Sequence, residues 1–136
     1  MIILNGSQWA GTEEAYNHAL LAVEHLNARS SDLDDEDAED LKPAYRVEDG
    51  VAFVNVKGPM LNMDLPDWLV GAYGVTTYPG LQRQFAAIQQ DPAVERVVLD
   101  VDSGGGHVNG LHETVEALRT LKAEKPVATY AGSSIA

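Results

Sequence analysis

The chain has 136 residues, 45% of them apolar, with no cysteine and a formal net charge of −12. That is enough for one compact domain with a real core and too little for two, and it excludes disulfides, thiol catalysis and thiolate metal sites. With 9 basic residues against 21 acidic ones there is no patch to neutralise phosphates, so no nucleic-acid partner is expected.

No segment reaches the roughly 18 apolar residues of a membrane span, and Met1-Ile2-Ile3-Leu4 is too short for a signal-peptide core. A soluble, cytoplasmic protein without a membrane partner is expected. The charge is uneven: residues 1–49 hold 12 acidic and 3 basic residues, and residues 50–136 hold 9 and 6. The acidity belongs to the leader.

Thr12 reads as an N-cap, with Glu13 and Glu14 suited to the positive end of a helix. Ala15, Ala19, Ala22, Val23 and Leu26 then recur at helical spacing as far as about Arg29, closing a helical leader over 1–29. His18 and His25 lie two turns apart, about 10.5 Å, too far to chelate one metal, and read as surface histidines. Ser30 to Asp40 carries seven carboxylates and one large apolar residue, Leu33, so 30–49 reads as an acidic flexible linker. A calcium loop through Asp32, Asp34 and Glu36 is the sharper alternative. It lacks the glycine at the sixth position, and Glu36 replaces the usual short ligand.

From residue 50 the pattern changes. Val51–Val56 reads as a strand stopped by Gly58-Pro59. Residues 60–75 read as an irregular loop whose Trp68, Leu69 and Tyr73 form either a lid or a patch packed onto the core. Thr76 or Thr77 caps a helix through Leu81, Phe85, Ala86 and Ile88 that ends near Asp91-Pro92. A β-branched run, Val97-Val98-Leu99-Asp100-Val101-Asp102-Ser103, follows and ends in Gly104-Gly105-Gly106. Three glycines permit a sharp turn with N–H groups left uncovered by side chains. A helix from Asn109 to about Glu124 and a strand Pro126–Tyr130 complete a β-α-β-α-β order, which predicts a parallel sheet.

A strand, an exposed glycine turn and a helix are the ingredients of an anion or oxyanion site. A P-loop is excluded because no Lys-Ser/Thr pair follows the glycines, and a dinucleotide fingerprint because Asn109 stands where its third glycine belongs. Asp100-Val101-Asp102 mimics the acid pair of haloacid-dehalogenase-type phosphatases, against which stands Gly104 where that pattern has Thr or Val.

Residues 51–136 resemble the S49 peptidase family, which includes signal peptide peptidase A and phage prohead proteases. The likeness runs through Val51–Val56 with Gly58, Thr76-Thr77-Tyr78, Asp91-Pro92-Ala93-Val94, Val97–Ser103, Gly105-Gly106 with Val108 and Gly110, and Lys125-Pro126-Val127, in family order and spacing. The family usually has proline where this chain has Gly104. The resemblance implies an α/β fold, part of a ClpP/crotonase-like spiral of ββα units, and peptide hydrolysis by a Ser-Lys dyad without metal or cofactor. It makes Gly105 and Gly106 the oxyanion donors, with Ser103 and Gly104 completing an oxyanion and substrate-binding segment.

In the family the nucleophile follows the Lys-Pro-Val strand at a helix start. Aligning Gly132–Ala136 there puts it just after Ala136, and the base further on, so the 136 residues are expected to be inactive. Lys42, Lys57, Lys122 and Lys125 read as solvated charges or, for Lys125, a strand entry; Ser133 and Ser134 lack a base; His107 and His112 read as structural or surface residues. The expected partners are scaffold or coat-protein substrates and further copies of the chain, because Val127–Tyr130 would be left exposed. The rival expectation is a non-catalytic assembly or decoration protein that keeps part of the protease fold.

Overall fold

A computed structural model describes residues 9–29, 45–65 and 67–135. Residues 30–44, with the acidic run and the calcium-loop alternative, lie outside the described residues, as do the side chains of His25, Trp68, Leu69, Ser133 and Ser134. The elements are β1 (Trp9–Gly11), α1 (Glu13–Arg29), β2 (Arg46–Glu48), β3 (Val51–Lys57), β4 (Met60–Leu61), α2 (Asp67–Tyr73), β5 (Thr76–Thr77), α3 (Tyr78–Gln89), β6 (Arg96–Ser103), β7 (Gly105–His107), α4 (Leu111–Glu124) and β8 (Val127–Ile135).

The larger sheet has the order β2-β3-β6-β8. Its strands β3, β6 and β8 are parallel, with Val54 beside Leu99 and Leu99 beside Thr129, as the alternation of strands and helices predicts. Ala52, Val54 and Val56 of β3 and Val97 and Leu99 of β6 point to one face. Leu81, Phe85 and Ile88 of α3 and Leu121 of α4 close over them. The opposite face of the sheet carries Asn55, Lys57, Asp100 and the exposed Tyr130. Thr77 caps α3, accepting from the Gly80 N–H at 3.1 Å.

The smaller sheet has the order β1-β7-β4-β5. Beneath it Ala19, Ala22 and Val23 of α1 pack with Leu61, Leu65 and Val75. Small side chains on that face let the helix approach closely. Thr12 caps α1, its hydroxyl accepting from the Ala15 N–H at 3.1 Å.

Several expectations change. The loop over 60–75 contains β4 and α2, and Tyr73 packs half-buried against the second cluster. The linker does not extend to 49: Arg46–Glu48 pairs antiparallel with β3 around Asp49 and Gly50, both at positive φ. That is the two-residue hairpin an Asp-Gly pair favours. Residues 9–24 of the expected leader lie on the glycine segment and the second core rather than ahead of the domain. The last strand runs on to Ile135, so Gly132–Ile135 is extended, not a helix start. The glycines do not turn into a helix: Gly104 crosses between sheets, Gly105 opens β7, and α4 begins only at Leu111.

Candidate functional site

The parallel ladder delivers its chemistry at the carboxyl ends of β3 and β6, the usual place in such sheets. Side chains alternate along β6, so Asp100 falls on the face away from the helices. Lys57 reaches across from the end of β3 and donates to Asp100 Oδ1 at 2.9 Å, both side chains being about two-fifths exposed or less. Thr76 fixes the same corner, accepting from the Lys57 N–H at 2.9 Å and donating to the Lys57 carbonyl at 2.8 Å.

Two clefts meet at Lys57. One, of about 310 Å³, is lined by Asn55, Lys57, Val70, Thr76 and Gln84. The other, of about 460 Å³, runs past Thr12, His18, Lys57, Gly58, Asp102 and Gly104. His18 is a surface histidine, as expected, and its Nε2 lies 2.7 Å from the Tyr73 carbonyl, tying α1 to the end of α2.

Ser103 is buried where the two sheets join. Its hydroxyl donates to the Gly58 carbonyl at 2.7 Å and accepts from the Gly105 N–H at 3.2 Å. Gly58 N–H returns a bond to the Asp102 carbonyl at 3.0 Å. Ser103 is thus a staple between sheets. The glycine identities are enforced by backbone on either side: a Cβ on Gly106 would overlap the Met60 carbonyl, and one on Gly105, whose φ is +109°, would overlap the Ala10 carbonyl.

The expectation of uncovered glycine N–H groups fails in this conformation. Gly105 donates to Ser103, as above. β1 lies antiparallel on β7, with Trp9 opposite His107, Ala10 opposite Gly106 and Gly11 opposite Gly105. The Thr12 N–H donates to the Gly104 carbonyl at 2.7 Å. Hydrogen-bonded pairs alternate along an antiparallel ladder, so the next one is Ala10–Gly106, which turns the Gly106 N–H toward β1. Sequence reasoning missed this strand because three residues carry no readable period. Its one signal was the run of small residues, Ala10-Gly11, facing glycines.

His107 is 7% exposed, and Nδ1 accepts from the Asn62 N–H at 2.8 Å. The proton therefore sits on Nε2, and burial holds the imidazole pKa below its ordinary value. Tyr78 donates to the His107 carbonyl at 2.6 Å, and burial raises that phenol. His112 is exposed on the first turn of α4. Lys125 donates to the Asp91 carbonyl at 2.7 Å and to the Ile88 carbonyl at the end of α3, a structural anchor. Among the described residues no serine or threonine hydroxyl is hydrogen-bonded to a lysine or histidine side chain, and no three His, Asp or Glu side chains are grouped to hold a metal.

No family model matches the chain. Two curated phage proteins do. The chain is 27% identical over 116 residues, 85% of its length, to capsid assembly protease C of Escherichia phage lambda. It is 31% identical over 86 residues, 61% of its length, to head-tail preconnector protein GP5 of Enterobacteria phage P21. The matched stretches cover only 26% and 16% of those two proteins, so the chain spans a small part of each. A stretch of 116 residues within 136 necessarily contains residues 21–116. The similarity to the lambda protein therefore runs through β3, β6 and the glycine strand β7. The chain is similar to lambdoid-phage proteins named for capsid assembly and for the head-tail preconnector. Among the described residues no helix is long and apolar enough to cross a membrane.

Proposed function

We propose that the chain forms the N-terminal part of an S49-type serine peptidase acting in phage capsid maturation, on scaffold or coat proteins, in the host cytoplasm or procapsid. In this reading β3, β6 and β7 begin a ClpP/crotonase-like spiral. Gly105 and Gly106 are the oxyanion donors once the segment opens: here the Gly105 N–H is taken by Ser103 and Gly106 lies against β1, with β4 alongside. Donors fixed before reaction are each worth about 3–4 kcal/mol of transition-state stabilisation in other enzymes. The nucleophile and base come from residues other than those described, and the chain works as an oligomer whose copies cover the exposed β8. The observation that carries the reading is the similarity to the lambda protease through a strand whose glycines the backbone geometry demands.

The test is a graft. The matching stretch of the lambda protease is replaced by this chain's, and proteolysis by the hybrid is followed on gels. Retained cleavage, lost on Gly106→Val in a hybrid that still folds, is expected; a folded hybrid that never cleaves overturns the reading. The 136 residues alone should hydrolyse neither casein nor a scaffold protein. The rival, a non-catalytic assembly component, is favoured by the head-tail preconnector likeness and by the absence of a nucleophile–base pair among the described side chains. A hybrid that assembles heads without cleaving supports it.

A further inference from the structure

The edge of β7 is filled by three residues of the same chain, and the fit is poor in one respect. Trp9 packs edge-on against His107, with ring centroids 5.7 Å apart, and against Tyr16 at 5.4 Å. Yet Trp9 Nε1 and His107 Nε2 are both buried without a hydrogen-bond partner. Both carry a proton, since His107 Nδ1 is the acceptor, so closing β1 onto β7 strips water from two donors and returns nothing to either. Ala10 and Gly11 add little apolar contact, being exposed. β1 is therefore a short strand held by main-chain bonds and one aromatic ring.

We propose that the β7 edge, Gly105–His107, is a binding site for an extended peptide strand, filled in cis by Trp9–Gly11, which an incoming strand displaces. This rests on the peptidase reading and gives its glycine site a means of control: Gly106 faces β1 until β1 leaves. The site selects its occupant by shape. A Cβ at the Gly11 position would overlap the Gly104 carbonyl, so only glycine fits there. The position opposite Gly106 faces solvent and is unselective, and the position opposite His107 takes an aromatic ring. The strand it accepts has an aromatic residue and, two positions on, a glycine.

The probe is a synthetic peptide of residues 5–13, Asn5 to Glu13, added to the full chain carrying Trp9→Ala and observed through backbone amide resonances. Saturable shifts at Gly104–His107 are expected, at least tenfold weaker in the unsubstituted chain, and absent with a peptide whose tryptophan is replaced by alanine. Equal binding to both chains, or none to the variant, overturns the proposal. Gly11→Ala, which cannot seat β1, should behave as Trp9→Ala does. Should either variant lose its folded spectrum, hydrogen exchange on the unsubstituted chain decides. The Gly106 amide should exchange at least tenfold faster than that of Leu99, and equal protection overturns the displacement. These readings involve no hydrolysis, so an inactive hybrid leaves them intact, and their failure leaves the hybrid's activity untouched.

Discussion

His107 shows how one buried side chain makes a sheet sensitive to acid. Its neutral form is required by the Asn62 N–H, and burial lowers its folded pKa from 6.5. The unfolded chain binds the proton more readily, so stability is full above about pH 6.5 and falls as pH drops through the folded value. Asp91 acts in a separate window. The Ala93 N–H, the Tyr45 hydroxyl and the Lys125 charge lower its pKa from 3.8, so its contribution is lost only below that. Tyr45, pushed up to about 12 by burial and then by Asp91, stays protonated throughout. Thermal melts should therefore fall in two steps, one beginning below about pH 6.5 and another confined below pH 3.8. His107→Gln should remove the first step and leave the second. The Lys57–Asp100 pair should matter far less: it is partly solvated, so Lys57→Ala should cost under about 1 kcal/mol in denaturant melts.

At the scale of elements, the legible parts were those with a long period or a cap. α3 follows from Thr77 and the spacing of Leu81, Phe85 and Ile88, and Thr77→Ala should cost about 1 kcal/mol, measured by urea unfolding. β3 and β6 follow from their β-branched runs, and their parallel pairing from the helices between them. Elements of two or three residues were not legible. β4, β5 and β7 exist because the second sheet and α1 give their backbone groups partners, a tertiary effect no short window contains. The Asp49-Gly50 hairpin was readable, but the acidic composition around it obscured a turn signal. At the candidate site the glycines were found by residue type. Their covering by β1 was not, because that pairing joins residues about a hundred positions apart.

At the scale of the molecule, two cores meet at a narrow seam. One lies between the larger sheet and α3 and α4, the other between the smaller sheet and α1. Crossing the seam are the Ser103 hydroxyl on the Gly58 carbonyl, the Gly58 N–H on the Asp102 carbonyl, and the two Thr76 bonds to Lys57. A small domain unfolds as one unit only if such links make each core depend on the other. Ser103→Ala removes one link and leaves the half-buried Gly105 N–H without its acceptor, a loss of about 1 kcal/mol. Both tryptophans, Trp9 in β1 and Trp68 in α2, belong to elements outside the larger sheet, so fluorescence reports mainly that half while circular dichroism reports both. In the unsubstituted chain the two signals should trace one urea transition. In Ser103→Ala the fluorescence transition should move to lower urea while the dichroism splits, with the larger sheet melting later. Coincident curves in the variant would mean that Thr76 and the backbone carry the coupling alone, and that Ser103 is a bystander at the seam.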